Sequence, residues 1–263
     1  MKKIVLILTG LILGALGHAA PAGNPASPLL IKDGFLISPV SWIDFRIGYE
    51  GNFVSDAKLK QRAGATHSID KYGLDVNSCV ATINIQNRLD LFGTAGSSRI
   101  QADWRIYPGE TYKMECETKY RLIWSAGGTV TLFEWGNAFL GFGGRYLYTR
   151  PRLEWLTRNG VAYAPGKAKM RYKEWQIDLS LAYKIDVLTP YLAVKYSRKK
   201  ATLGEVLSTH ITTDDTGILR MKNRIPVGVA LGCTITTRKY FMLNIEARLI
   251  DEEAATLSGE FRF

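Results

Sequence analysis

Apolar and polar residues alternate along most of the chain, and this pattern predicts β-strands. Between Trp175 and Ile185 every odd-numbered residue is apolar or aromatic, while the even-numbered residues are mostly polar. A period of two sends the two sets to opposite faces of a strand, which a helix does not do. The same pattern recurs and predicts ten strands, at 41–54, 78–86, 89–98, 119–133, 138–150, 171–185, 188–198, 224–236, 240–250 and 256–263.

The lengths of these strands and of their connections are typical of a membrane barrel. Most strands reach the about 9–11 residues that a tilted strand needs to cross a bilayer. Long polar connections, which suit external loops, alternate with short turns, at 87–88, 134–137, 186–187 and 237–239. We therefore predict an all-β, transmembrane, antiparallel up-and-down β-barrel of about ten strands. The long connections 55–77 and 99–118 could hold a further hairpin, which would raise the number to twelve.

A soluble lipocalin-like barrel, with its apolar face turned inward, is the alternative architecture. Alternating connection lengths and aromatic residues near both ends of the strands disfavour it, since membrane barrels carry two aromatic girdles. The C-terminal strand also disfavours it, because its alternation ends on Phe261 and Phe263. This ending resembles the signal read by the outer-membrane assembly machinery, which we expect as a partner.

The N-terminus predicts export. A charged start precedes the uncharged apolar stretch 4–16, and Gly17 and Ala19 suit a cut after Ala19. An uncleaved anchor is the alternative, but the stretch is shorter than the about 20 residues of a spanning helix. We therefore predict a signal peptide at 1–19, a periplasmic segment at 20–40 and an outer-membrane barrel at 41–263, in a Gram-negative-type bacterium.

The net charge and the cysteines indicate which binding partners to expect. The formal net charge is +10, and because export disfavours nucleic acid, outer-membrane lipid and lipopolysaccharide are the expected partners. The excess charge could equally lie in solvated loops. Cys79, Cys116 and Cys233 allow at most one intramolecular disulfide. No CxxC or Cys/His cluster is present, so we expect neither a metal site nor a cofactor.

An enzyme is not predicted. The histidines beyond the signal peptide are His67 and His210, both in long polar connections. Asp214 and Asp215 lie near His210 and could suggest a dyad, but no GxSxG motif accompanies them.

Several segments resemble the chlamydial major outer membrane protein, a porin family. They are FRIGYEGNFVSDAKLK (45–60), INIQNRLDLFGTAG (83–96), KEWQIDLSLAYKIDVLTPYLAVKYSR (173–198), MKNRIPVGVALGCTITTRKY (221–240) and NIEARLIDEEAATLSGEFRF (244–263). The resemblance implies a trimeric pore for small solutes and a disulfide-linked envelope. This chain is shorter, and 33–45 and 133–137 lack the family's cysteines. That absence argues against a disulfide network, although Cys116 could still form one intermolecular bond.

The polar phase of the strands predicts the residues that face the lumen. The charged candidates are Asp44, Arg46, Glu50, Asp90, Lys119, Arg121, Arg145, Glu174, Asp178, Lys184, Lys195, Glu246, Arg248, Glu260 and Arg262.

Two functions follow from this charged lumen. As a porin-like barrel, the protein would allow passive diffusion of small hydrophilic solutes, with Arg121, Arg145 and Lys195 favouring anions. As a closed structural barrel, it would fill its interior with ion pairs, and its loops would contact lipopolysaccharide, neighbouring proteins or a host surface. Small barrels of about eight strands enclose little more than side chains, which keeps the second hypothesis open.

Overall fold

The computed structural model describes residues 21–31, 42–61, 69–106, 112–204, 218–237 and 240–263. The predicted signal peptide and the cut after Ala19 lie outside these residues, as do His67, His210, Asp214 and Asp215. Among the described residues, no helix is long and apolar enough to cross a membrane.

One sheet contains all the strands. In chain order they are β1 (Ile43–Ala57), β2 (Leu59–Gln61), β3 (Lys71–Ile85), β4 (Leu89–Ile106), β5 (Tyr112–Thr118), β6 (Arg121–Trp135), β7 (Ala138–Thr149), β8 (Leu153–Arg158), β9 (Val161–Tyr163), β10 (Lys169–Tyr183), β11 (Leu188–Gly204), β12 (Leu219–Asn223), β13 (Val227–Thr236), β14 (Phe241–Leu249) and β15 (Glu252–Arg262). One short helix, α1 (Ser27–Leu30), precedes them.

Ten of these strands close into an antiparallel barrel, which confirms the predicted fold and strand number. The order around the ring is β3-β1-β15-β14-β13-β11-β10-β7-β6-β4, and β4 pairs back with β3. The last strand closes the ring against the first, in register from Arg46↔Arg262 to Ala57↔Glu252. We call the end that carries the β3–β4, β6–β7, β10–β11 and β13–β14 connections the short-turn end, and the opposite end the long-connection end.

The hairpins explain the antiparallel pairing. At the β3–β4 turn, Gln86 and Asn87 both have φ of 53°, the left-handed geometry that a two-residue turn uses to match the twist of its strands.

Several strands are longer than their predicted counterparts. β3 begins at Lys71 rather than 78, β4 continues to Ile106, and β11 continues to Gly204. In these extensions the buried, inward residues are apolar, such as Leu74, Trp104 and Leu203, whereas the inward residues lower in the barrel are polar. The pattern of the membrane zone is therefore inverted there, which is why the extensions resembled polar connections. The short strands β2, β5, β8, β9 and β12 also lie at this end, outside the ring.

The outer face of the barrel is apolar and bounded by aromatic residues. Leu179 and Val194 lie in the middle of this face and are about half exposed. Toward the long-connection end, the rings of Trp175 and Tyr196 are 5.6 Å apart. Toward the short-turn end, Phe241 and Phe261 are 4.7 Å apart. An apolar band between two aromatic girdles is the surface that a lipid bilayer requires.

Candidate functional site: the barrel lumen

The inward residues of β11 run through the successive layers of the lumen. From the short-turn end they are Thr189, Tyr191, Ala193, Lys195, Ser197, Lys199, Ala201 and Leu203, and all are buried. The layers change from neutral and polar to charged and finally to apolar.

The first layer is filled by the chain's own N-terminal stretch. Residues 21–31, which we call the lumen segment, lie inside the barrel rather than in the periplasm, where 20–40 was expected. The carboxylate of Glu246 accepts hydrogen bonds of 2.9 Å from the backbone N–H groups of Ala22 and Gly23. Other backbone groups of the segment bind inward side chains of the wall or bond within the segment, as Ser27 N–H does to Asn24 O, because a buried peptide group needs a partner.

Wall side chains hold the segment along its whole length. Thr131 Oγ1 donates to Pro25 O at 2.7 Å, and Gln176 Nε2 donates to Pro21 O at 2.8 Å. The other contacts of this kind are Asn84 with Pro28 O, Arg46 with Ser27 O and Arg262 with Ile31 O.

Ion pairs line the wall around this segment. Arg145 reaches across the barrel from β7 to β1, where both of its terminal nitrogens contact the Glu50 carboxylate, at 2.7 and 2.9 Å. Arg46 pairs with Asp90 and Glu260. A cavity of about 80 Å³ remains between these pairs and the lumen segment.

The second layer is a set of buried charges that we call the ionic cluster. Its members are Glu174, Lys195, Lys199, Glu246, Arg248, Asp251 and Glu252. Glu252 lies at its centre and contacts Lys195, Lys199 and Arg248. Lys195 and Lys199 also approach Asp251 Oδ2, at 3.2 and 2.9 Å. Because β13 and β14 separate β11 from β15 in the ring, these contacts bridge part of the lumen rather than two paired strands.

The third layer is a cluster of buried apolar side chains that we call the apolar cap. Its members are Val54, Ala57, Leu59, Ile69, Tyr72, Leu74, Val76, Ile100, Ala102, Trp104, Met114, Cys116, Ile123, Leu147, Leu153, Leu156, Ala168, Met170, Tyr172, Ala201, Leu203, Leu219, Met221 and Ala254. The rings of Tyr72 and Tyr172, on strands that are not paired, stack 5.7 Å apart. The cap therefore spans the barrel at its long-connection end.

Most of the predicted lumen residues lie on the inward face. Asp44, Arg46, Glu50, Asp90, Arg145, Glu174, Asp178, Lys195, Glu246, Arg248 and Arg262 are buried, and Glu260 and Lys184 are half-buried. Lys119 and Arg121 differ from the prediction, because both are exposed. Arg121 is the first residue of β6 and Lys119 precedes this strand, so both lie at the long-connection end.

Three buried charges of the ionic cluster are missing from the prediction, namely Lys199, Asp251 and Glu252. Lys199 was assigned to the loop after 198, and the other two to the connection before 256. Their burial comes from the length of β10 and β11, which extend past the β14–β15 hairpin. Two acidic residues in a short connection, Asp251 and Glu252, give no sign in the sequence that they will be buried.

The three cysteines are free thiols. Cys116, expected in a loop and available for an intermolecular disulfide, is instead buried in the apolar cap on β5. Burial raises the pKa of its thiol to about 12. Within the described ranges, no group of three or more His, Cys, Asp or Glu could hold a metal ion.

Comparison with known proteins identifies proteins to which this chain is similar. Residues 159–207 and 200–263 match the family model of the Chlamydia major outer membrane protein. The chain is 26% identical to the major outer membrane porin, serovar C, of Chlamydia trachomatis over 397 aligned positions, covering all of both chains. It is also 26% identical to the major outer membrane porin of Chlamydia pneumoniae, again over all of both chains. An outer membrane channel from Pseudomonas putida F1 has a similar fold, with 8% identity, a TM-score of 0.43 and coverage of 86% of this chain and 100% of that chain.

The closed ring, its apolar belt and the chlamydial relatives define an outer-membrane β-barrel protein. The chain resembles the chlamydial major outer membrane porin family over its full length. It is a short relative, since the alignment of 397 positions far exceeds its 263 residues.

Proposed function

We propose that the protein is a porin-like outer-membrane barrel that allows passive diffusion of small hydrophilic solutes. The observation that carries this proposal is the charged inner wall, where Arg46, Glu50, Asp90 and Arg145 line the cavity beside the lumen segment. Charged inner walls are tolerable only where the charges are paired or hydrated, and a water-filled pore presents such a wall to its solutes. The full-length relatives carry the name porin, which supports the same function.

Conduction would require a rearrangement of the lumen. In the described arrangement, the lumen segment, the ionic cluster and the apolar cap follow one another along the axis. The lumen segment is a separate stretch of chain, so it can leave without breaking the wall. The cap belongs to the wall and would have to open a path between its side chains.

The closed lumen favours a second candidate, a structural barrel without a pore. A filled interior is expected of small barrels, and such a protein would contribute to envelope integrity or to surface contacts.

Single-channel recording in planar bilayers separates the two candidates. The chain beginning at Ala20 is compared with a chain lacking residues 21–31, and both are checked for folding by heat-dependent migration on gels. Current from both chains supports an open porin, and current from the deletion alone supports a porin closed by the lumen segment. Silence from both folded chains would support the structural barrel, in which the ionic cluster and the apolar cap keep the lumen closed even without the lumen segment.

The anion preference stays a prediction that conductance can test. Three residues were predicted to favour anions. Arg145 pairs with Glu50 and Lys195 with Glu252, whereas Arg121 is exposed. We propose that Arg121 is the residue through which any preference for anions acts. Arg121→Glu should then move the reversal potential in a salt gradient toward cations, while Arg145→Gln should change it less.

The other expected properties remain proposals as well. We propose that the protein is not an enzyme and needs no cofactor. We also propose that lipid and lipopolysaccharide surround it, that it forms a trimer as the resemblance implies, and that the assembly machinery reads Phe261 and Phe263. Both of these side chains are exposed on the outer face, where a receptor could reach them.

A further inference from the structure

Four lysines form a row across four adjacent strands at the long-connection end. The strand register places Lys173 opposite Lys200, Lys200 opposite Lys222, and Lys222 opposite Lys60. All four side chains are exposed. Exposed arginines flank the row, and we call the whole group the basic ladder: Lys60, Arg171, Lys173, Arg198, Lys200, Arg220 and Lys222.

The ladder carries repulsion that the described residues do not neutralise. Like charges directly opposite each other in a sheet are destabilising. Among the described residues, no ladder side chain takes part in an ion pair, and the outward positions of β2, β10, β11 and β12 hold no carboxylate. The contact found for Lys173 is with an aromatic ring, as its Nζ lies 5.8 Å from the ring centroid of Tyr148. An external anion would remove the repulsion.

The position of the ladder along the barrel axis indicates which kind of anion it meets. Reading toward the long-connection end, the outward residues of β10 are Leu179, Ile177, Trp175, Lys173 and Arg171, and those of β11 are Leu192, Val194, Tyr196, Arg198 and Lys200. Both strands pass from aliphatic to aromatic to basic. Aromatic residues mark the membrane interface, and two residues along a strand span about 7 Å. The ladder therefore lies at the level of the lipid headgroups.

The centre of the ladder is concave. A cavity of about 170 Å³ is lined by Arg198, Lys200, Thr202, Arg220, Met221 and Lys222. Four positive side chains thus surround one depression between β11 and β12. Arginine can bind a phosphate with two parallel hydrogen bonds, while lysine contributes a mobile point charge.

We propose that the basic ladder binds the phosphate groups of an anionic glycolipid headgroup in the leaflet at the long-connection end. External loops are the long ones in outer-membrane barrels, so this leaflet is the outer one. The proposal rests on the location in the outer membrane and does not require conduction.

Binding of diphosphoryl lipid A to the folded protein in neutral detergent micelles tests the proposal. Lys200→Gln combined with Lys222→Gln removes the centre of the row, and Arg198→Gln combined with Arg220→Gln removes the cavity arginines. The matched control, Lys119→Gln with Lys167→Gln, removes the same charge from exposed sites outside the ladder. Each ladder variant should bind at least about tenfold more weakly than wild type, and more so at low salt. The control should change binding less than about twofold.

Thermal unfolding is a second measurement. The direction in which the Lys200/Lys222 variant changes the unfolding temperature distinguishes a lipid-binding site from a patch with only a structural role. In neutral detergent the Lys200/Lys222 variant should unfold at the same or a higher temperature than wild type, because repulsion is relieved. With lipid A present, wild type should gain stability and the variant should not, so the order reverses. Equal binding by ladder and control variants would overturn the proposal. Displacement of lipid A by millimolar inorganic phosphate would also overturn it, because the site would then recognise free anions.

Discussion

At the short-turn end, the lumen holds a separate stretch of chain that touches the wall mainly through hydrogen bonds. At the long-connection end, it holds large apolar side chains that belong to the wall itself. Thr131 and Gln176 represent the first kind of contact, and Tyr72 and Trp104 the second. A bound segment can leave while the strands stay paired, whereas the apolar cap can be removed only by unpacking the strands that carry it.

The ionic cluster lies between these regions and resembles the second more than the first. Its charges come from β10, β11, β14 and the β14–β15 hairpin, so it too is part of the wall. Removing one partner from a buried set of ion pairs leaves a buried charge without compensation, which is strongly destabilising. The comparison therefore predicts large losses of stability from the cap and the cluster, and small ones from the lumen segment.

The largest effect is expected in the apolar cap. Trp104 is fully buried, so Trp104→Ala should lower the free energy of unfolding by about 4 kcal/mol, measured by denaturant titration in detergent. Trp135→Ala is the control, because this side chain is exposed at the other end of the barrel. Trp104→Phe sharpens the test: the indole N–H has no hydrogen-bond partner among the described residues, so this variant should lose much less. Equal losses for the two alanine variants would contradict the structural role of the cap.

The second effect is expected in the ionic cluster. Glu252→Gln removes the carboxylate that Lys195, Lys199 and Arg248 share as a contact, which should cost about 3 kcal/mol of unfolding free energy. The adjacent Glu253 pairs with Lys58 at the surface, and Glu253→Gln should cost less than about 1 kcal/mol. If the two neighbours gave the same loss in the same titration, the cluster would not be a buried network.

The sequence predicted the barrel because lipid and lumen impose a strict period of two. Between Trp175 and Tyr183 each side chain faces either lipid or the lumen, so the local alternation shows which way it points. The predicted inward residues Gln176 and Asp178 are indeed buried. The same pattern identified the other nine strands of the ring, although Lys119 and Arg121 at the start of β6 are exposed. The number of strands followed from counting such segments.

The filling of the lumen could not be predicted in the same way. Residues 21–31 contain no charged side chain and give no periodic pattern. Their position depends on partners more than a hundred residues away, such as Glu246 and Thr131. The burial of Glu252 likewise depends on how far β11 extends beyond its neighbours. Such relations are long-range, and a local pattern does not encode them.

A smaller effect is expected where the lumen segment meets the wall. Thr131→Val removes the hydroxyl that donates to Pro25 O at 2.7 Å, which should cost about 1 kcal/mol of unfolding free energy. Thr129→Val is a matched control on the same face of β6, since within the described residues the bond to Pro25 comes from Thr131. If the segment closes a pore, Thr131→Val should also raise the frequency of channel openings. A loss as large as that of Trp104→Ala would mean that the segment is part of the folding core.

The smallest effect concerns the thiol of Cys116, whose labelling reports on the apolar cap without disturbing it. Its pKa is raised to about 12 by burial, so at pH 8 only about one molecule in ten thousand carries the reactive thiolate. A chain with Cys79→Ser and Cys233→Ser should therefore resist maleimide while folded, up to pH 9, and react fully once unfolded in denaturant. Mass spectrometry of the labelled chain measures both. Because the Cys116 thiol is also shielded from other chains, this double variant should give no disulfide-linked dimer on a non-reducing gel while folded. A dimer formed without unfolding would show that the cap opens at equilibrium.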